Sequence, residues 1–192
     1  WLVVVGGLIV QFCLGALYTW SVFQKPIQEI FGWSTTQVSL AFSINLAFIP
    51  VLMIFAGRLL PKYGPTKMVI AGATVLSCGL LIASRTSSLT MLYLGYGVLG
   101  GSGIGITYGI PIATCVKWFP DKRGMITGLI VAGFGLGSVF YAPVATILVT
   151  NYGPLNTFFI QAIYTIVGVI IGGRLMRAAP DGYIPEGWSL PP

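Results

Sequence analysis

Between Gly124 and Gly173 the chain runs for 50 residues without a single Asp, Glu, Lys or Arg. One helix of that length would reach roughly 75 Å at 1.5 Å per residue, more than twice the hydrocarbon thickness of a bilayer. Asn151-Tyr152-Gly153-Pro154 supplies a turn near its middle, so the stretch divides into two spans. Further charge-free runs extend from Trp1 to Gln24, Ile30 to Gly57, Met68 to Ser84 and Thr86 to Val116. Together they predict an all-α membrane protein with six transmembrane helices, roughly 2–24, 36–57, 67–85, 90–116, 124–150 and 156–176. Only 7% of residues are charged and 56% are apolar, which excludes an ordinary soluble domain. The first 24 residues have no basic start and exceed the core of a signal peptide.

The cations set an orientation. Arg58, Lys62 and Lys67, then Lys117, Lys122 and Arg123, then Arg174 and Arg177 fall on one side of the predicted spans, against Lys25 and Arg85 on the other. The positive-inside rule then places both ends of this segment in the cytoplasm. It also accounts for the net charge of +6 without a nucleic-acid partner. Cys13, Cys78 and Cys115 lie in apolar runs without CxxC spacing, and histidine is absent, so neither structural disulfides nor a zinc site is expected. The tail from Ala178 to Pro192 holds four prolines and reads as the start of a cytoplasmic interdomain linker (178–192) after a six-helix domain (1–177). Because the chain opens on Trp1 and stops at Leu190-Pro191-Pro192, the polypeptide is expected to extend at one or both ends.

Glycine dominates the packing pattern. Gly97, Gly101, Gly105 and Gly109 recur every fourth residue and form one bare stripe on a helix; Gly124 with Gly128, and Gly133 with Gly137, repeat the spacing. In water each interior glycine would cost about 1 kcal/mol. In lipid, small residues are how helices approach closely. The first helix carries Gln11, Gly15 and Tyr18 on one face, and the second offers Ser39, Ser43 and Asn45, with Pro50 as a site for a kink. The third, with Gly72, Cys78 and Gly79 as small packing positions, reads as a supporting helix. Gln161 is the one strongly polar interior group of the sixth. Gly15-Ala16-Leu17-Tyr18 is echoed by Gly105-Ile106-Thr107-Tyr108 in a helix that crosses in the opposite direction, as in a 3+3 inverted repeat.

Enzyme chemistry has nothing to stand on. The acids Glu29, Asp121, Asp181 and Glu186 lie in loops or at membrane edges, and no charge falls at mid-membrane. Neither a cofactor nor a metal is implied, and this segment carries no proton relay or cationic anchor of its own. At mid-depth the candidate substrate-binding residues are Gln11, Tyr18, Asn45, Tyr108, Phe134 and Tyr141, each with helix packing as the competing role.

Gly57-Arg58-Leu59-Leu60-Pro61-Lys62-Tyr63-Gly64-Pro65-Thr66-Lys67 resembles the signature loop of the major facilitator superfamily, with Pro61 where the family has an acid. Gly133, Gly137 and Pro143 loosely follow its fifth-helix pattern. Tyr108-Gly109-Ile110 followed by Lys117-Trp118-Phe119-Pro120-Asp121-Lys122-Arg123-Gly124 is similar to the oxalate/formate antiporter family, a bacterial and archaeal branch related to the monocarboxylate transporters. Leu17-Tyr18-Thr19-Trp20 and the Tyr183–Trp188 tail fit the same pattern.

The resemblance covers the first six of that family's twelve helices. It implies a secondary transporter of small carboxylates, such as lactate, formate or oxalate, that works by alternating access in a prokaryotic cytoplasmic membrane, with protons or a second anion as the coupled species. It also implies a missing C-terminal six-helix half that carries the carboxylate-pairing Arg and Lys. Cytoplasmic gating loops would include Gly57, Lys62, Gly64, Asp121, Lys122 and Arg123, and Tyr18 and Tyr108 match cavity tyrosines. Phe134 stands where the antiporter has another tyrosine, which favours a monocarboxylate. A major facilitator carrier of a neutral solute (sugar or drug) and a non-transporting membrane scaffold are the competing readings.

Overall fold

The computed structural model describes residues 1–180 and Tyr183. Among them every regular element is helical. Five segments are long and apolar enough to cross a membrane: α1 Leu2–Phe31, α2 Thr35–Tyr63, α3 Pro65–Ala83, α4 Leu89–Trp118 and α5 Pro120–Leu175. Most of the proposed linker, including its Ile184–Trp188 portion, lies outside the described residues.

The backbone of α5 leaves helical geometry at Gly153, with φ 80° and ψ 164°. Its two arms, 123–152 and 154–175, lie on either side of that break and both pack on α1. Gly7 and Gly15 of α1 meet Ile130 and Gly137, so contacts ascend along the first arm. Gly6, Cys13 and Phe23 meet Gly172, Gly168 and Phe158, so they descend along the second. The chain therefore reverses at Gly153, within the turn that the uncharged 50-residue run requires.

Gly64, the one residue between α2 and α3, has nearly the same backbone, φ 77° and ψ 163°. That region is essentially reserved for glycine. Each glycine is followed by a proline that opens the next helix, where its missing N–H costs nothing. Tyr63-Gly64-Pro65 and Tyr152-Gly153-Pro154 are thus the same three residues in the same conformation. Their separation along the chain nearly equals that between Tyr18 and Tyr108.

Two helices run further than their uncharged cores. α1 was expected to stop at residue 24 but continues to Phe31, because its last twelve residues are amphipathic: Trp20, Phe23 and Ile27 are buried, while Lys25 and Glu29 stay exposed. α2 starts at a capping box, Ser34 with Gln37, and continues unbroken through Pro50, Gly57 and Pro61 to Tyr63. Charges keep a residue out of hydrocarbon; they do not end a helix.

The α4 glycines dock on α2 in strict register. Gly97 faces Ala41 and Ile44, Gly101 faces the Asn45 backbone, Gly105 faces Ile49, and Gly109 faces Met53. Gly133 and Gly137 lie against Leu8 and Phe12 of α1. Gly124 and Gly128, which share the spacing, have nothing within 4 Å of a built Cβ. Spacing marks a stripe but not the direction it faces. On α3, Gly72 and Gly79 approach Gly103 and Gly95, whereas Cys78, expected as a packing position, is exposed.

α4 also departs from regular geometry in a way the sequence did not announce. Residues Tyr93–Gly100 form a π-helical stretch before the α-helix resumes. At the changeover the Gly101 N–H bonds back to Gly97, stepping past the Tyr96 carbonyl. That carbonyl instead accepts from Asn45 Nδ2 at 2.7 Å.

One end of the bundle gathers the chain start, the α2–α3 and α4–α5 junctions and the end of α5. Trp1 and Phe119 sit 5.0 Å apart, Thr66 Oγ1 donates to Met176 O at 2.5 Å, and Trp118 Nε1 donates to Arg177 O at 2.8 Å. These junctions carry the clustered cations of the sequence.

Candidate functional site

The 3-10 stretch Gly15–Thr19 interrupts α1 beside the first arm of α5, with Gly15 against the Phe134 carbonyl and Gly137. This close approach sets Tyr18 on Phe134: ring centroids 5.2 Å, planes at 77°. From the other side Tyr108 of α4 meets the same ring at 5.1 Å and 85°. Both pairs are edge-to-face, the arrangement favoured by the ring quadrupoles and worth roughly 0.5–1.5 kcal/mol each. Phe134 is buried, Tyr108 half-buried and Tyr18 57% exposed, so the cluster stands on an open face of the bundle. The two tyrosines of the internal echo thus converge on one phenylalanine.

Gln11 lies one layer below, fully buried, its Nε2 3.4 Å from the Tyr108 carbonyl. It supports the α4 backbone under the cluster. Two other candidates are elsewhere. Asn45 is 1% exposed and spent on the Tyr96 carbonyl, and Tyr141 is buried and stacked on Tyr164 at 5.5 Å. Sequence singles out a polar residue in lipid but not which of two roles it takes, since the deciding partner is a backbone carbonyl on another helix.

The proposed gating residues are also redistributed. Gly57 and Lys62 lie on the last turns of α2 and not in a loop, and Gly57 is exposed with nothing within 4 Å of a Cβ. Gly64 alone makes the connection. Asp121 and Lys122 share a short 3-10 turn and approach to 3.8 Å, an exposed pair of little energetic weight; Arg123 opens the following helix. Among the described residues, no group of His, Cys, Asp and Glu could hold a metal ion.

A bundle of apolar helices that dock through glycine, reverse at Gly-Pro turns and present an aromatic cluster on an open face has the makings of a membrane carrier. The chain belongs to the Major Facilitator Superfamily, whose family model matches residues 5–186. The family is one of transporters and not of enzymes. An uncharacterised MFS-type transporter of Escherichia coli K12, YhjX, is 31% identical across 94% of this chain and 45% of its own length. The oxalate:formate antiporter of Oxalobacter formigenes is 30% identical across 82% of this chain and 36% of its own. Rat monocarboxylate transporter 1 is 31% identical over 95% and 35%. The chain therefore spans less than half the length of these relatives.

Proposed function

We propose that this chain is the amino-terminal, six-crossing half of a secondary transporter that moves a small carboxylate by alternating access, both ends of the segment lying in the cytoplasm. The observation that carries the reading is the Tyr18–Phe134–Tyr108 cluster, open to one side and made from the two echoed tyrosines. A carboxylate fits it as a ligand that accepts hydrogen bonds from two phenol O–H groups while its small apolar part rests on the rings. The reversal of α5 at Gly153 supports six crossings. The twin Tyr-Gly-Pro turns, at opposite ends of the bundle, support a 3+3 inverted repeat. The names of two relatives supply the substrate class. On this reading the charge that pairs with the substrate comes from a second six-helix half, and either protons or a counter-anion are the coupled species.

A neutral solute is the competing reading, favoured where the second half brings no buried Arg or Lys to the cluster. Ligand-induced stabilisation separates the two. In detergent, lactate, formate or oxalate should raise the unfolding temperature of the intact carrier, and glucose should not. Tyr108→Phe should weaken the carboxylate effect by about 3- to 10-fold in affinity, the loss expected for one hydrogen bond, without lowering the unliganded unfolding temperature. Stabilisation by glucose alone, or an unchanged affinity in Tyr108→Phe, would contradict the assignment.

A further inference from the structure

Deep in the bundle, on the side of α1 away from the aromatic cluster, Asn45 of α2 and Gln161 of the second arm of α5 border one small cavity of about 10 Å³. Asn45 Nδ2 is committed to the Tyr96 carbonyl, and since a carbonyl can only accept, the Asn45 amide orientation is fixed. Its Oδ1 is therefore turned elsewhere, buried and without a protein donor, and Gln161 Oε1 is in the same condition. The two residues are 1% and 6% exposed. Thr165 and Cys13, which carry a hydroxyl and a thiol, also line the space, with Leu80 and Tyr96 closing it. A buried amide oxygen without a partner is costly in an apolar interior, so two of them on residues that line one cavity call for a ligand that donates twice.

We infer that this cavity is the binding site of a single structural water, which donates one hydrogen to Asn45 Oδ1 and the other to Gln161 Oε1. The volume admits one water and nothing larger. A monovalent cation fits less well: no carboxylate lines the cavity, and an unneutralised charge within the hydrocarbon depth is expensive. Bridged this way, α2 is tied to the second arm of α5. Through Asn45 the same water steadies the point where α4 returns from π to α geometry.

A structure of the intact carrier at a resolution that shows its other buried waters should contain one density peak within hydrogen-bonding distance of both oxygens; an empty cavity would overturn the inference. Unfolding temperatures provide a second, independent reading. Gln161→Leu and Asn45→Leu should each lower it, and the double variant should fall by less than the sum, because either change alone already breaks the bridge. Additive losses would contradict the shared water. Exchanging sodium for choline should leave the wild-type unfolding temperature unmoved, and a sodium-dependent rise would assign the cavity to a cation instead.

Discussion

Gly137→Leu is expected to yield little folded protein. A Cβ at this position would meet the Phe12 carbonyl, carbon and Cα, all backbone atoms of α1 that no rotamer change can move. Filling such a contact costs about 3 kcal/mol or more, a large part of the margin of a typical domain. The same helix supplies its own control. Gly135 lies two residues away and Gly128 nine, and neither has anything within 4 Å of a Cβ. Gly135→Leu and Gly128→Leu should change stability by no more than about 0.5 kcal/mol. The monodisperse fraction after detergent extraction and the unfolding temperature report the contrast; equal behaviour of all three variants would show that α1 and α5 do not approach as closely as described.

The second large effect is expected at Phe134. Its ring is 6% exposed and is the shared partner of Tyr18 and Tyr108. Phe134→Ala removes both edge-to-face contacts and leaves a cavity under the open face, a loss of about 3–5 kcal/mol. Transport should fall by more than tenfold, since neither phenol then has a surface that fixes its hydroxyl. Phe134→Tyr keeps the ring and should retain wild-type stability. The added hydroxyl should raise the relative preference for oxalate over lactate. Normal uptake by Phe134→Ala at equal membrane abundance would remove the cluster from the substrate path.

Much of this architecture is legible in the sequence because the bilayer imposes simple rules. Uncharged runs give the spans, Gly153 before Pro154 gives the reversal, and four-residue glycine spacing gives the α4 seam on α2. What stays hidden depends on partners in three dimensions. The outward face of Gly124 and Gly128 is set by which way the first arm of α5 rotates against α1. The π stretch of α4 has no marker beyond its glycines, and it explains why Asn45 is a backbone cap and not a group at the open face. The echo of Tyr18 and Tyr108 was visible, but its sense appears only when both rings are found on Phe134. Tyr-Gly-Pro also occurs twice in the sequence; the likeness of the two turns emerges only from the matching backbone angles at Gly64 and Gly153.

Carriage of a small carboxylate is to be measured as uptake into proteoliposomes that contain the full-length polypeptide. Labelled lactate, formate and oxalate would be offered with and without an imposed proton gradient, and with and without anion inside. At least one of them should be taken up, coupled either to the gradient or to the internal anion, and more slowly in Tyr108→Phe. Well-folded protein that accumulates none of the three carboxylates but equilibrates a labelled sugar would contradict it.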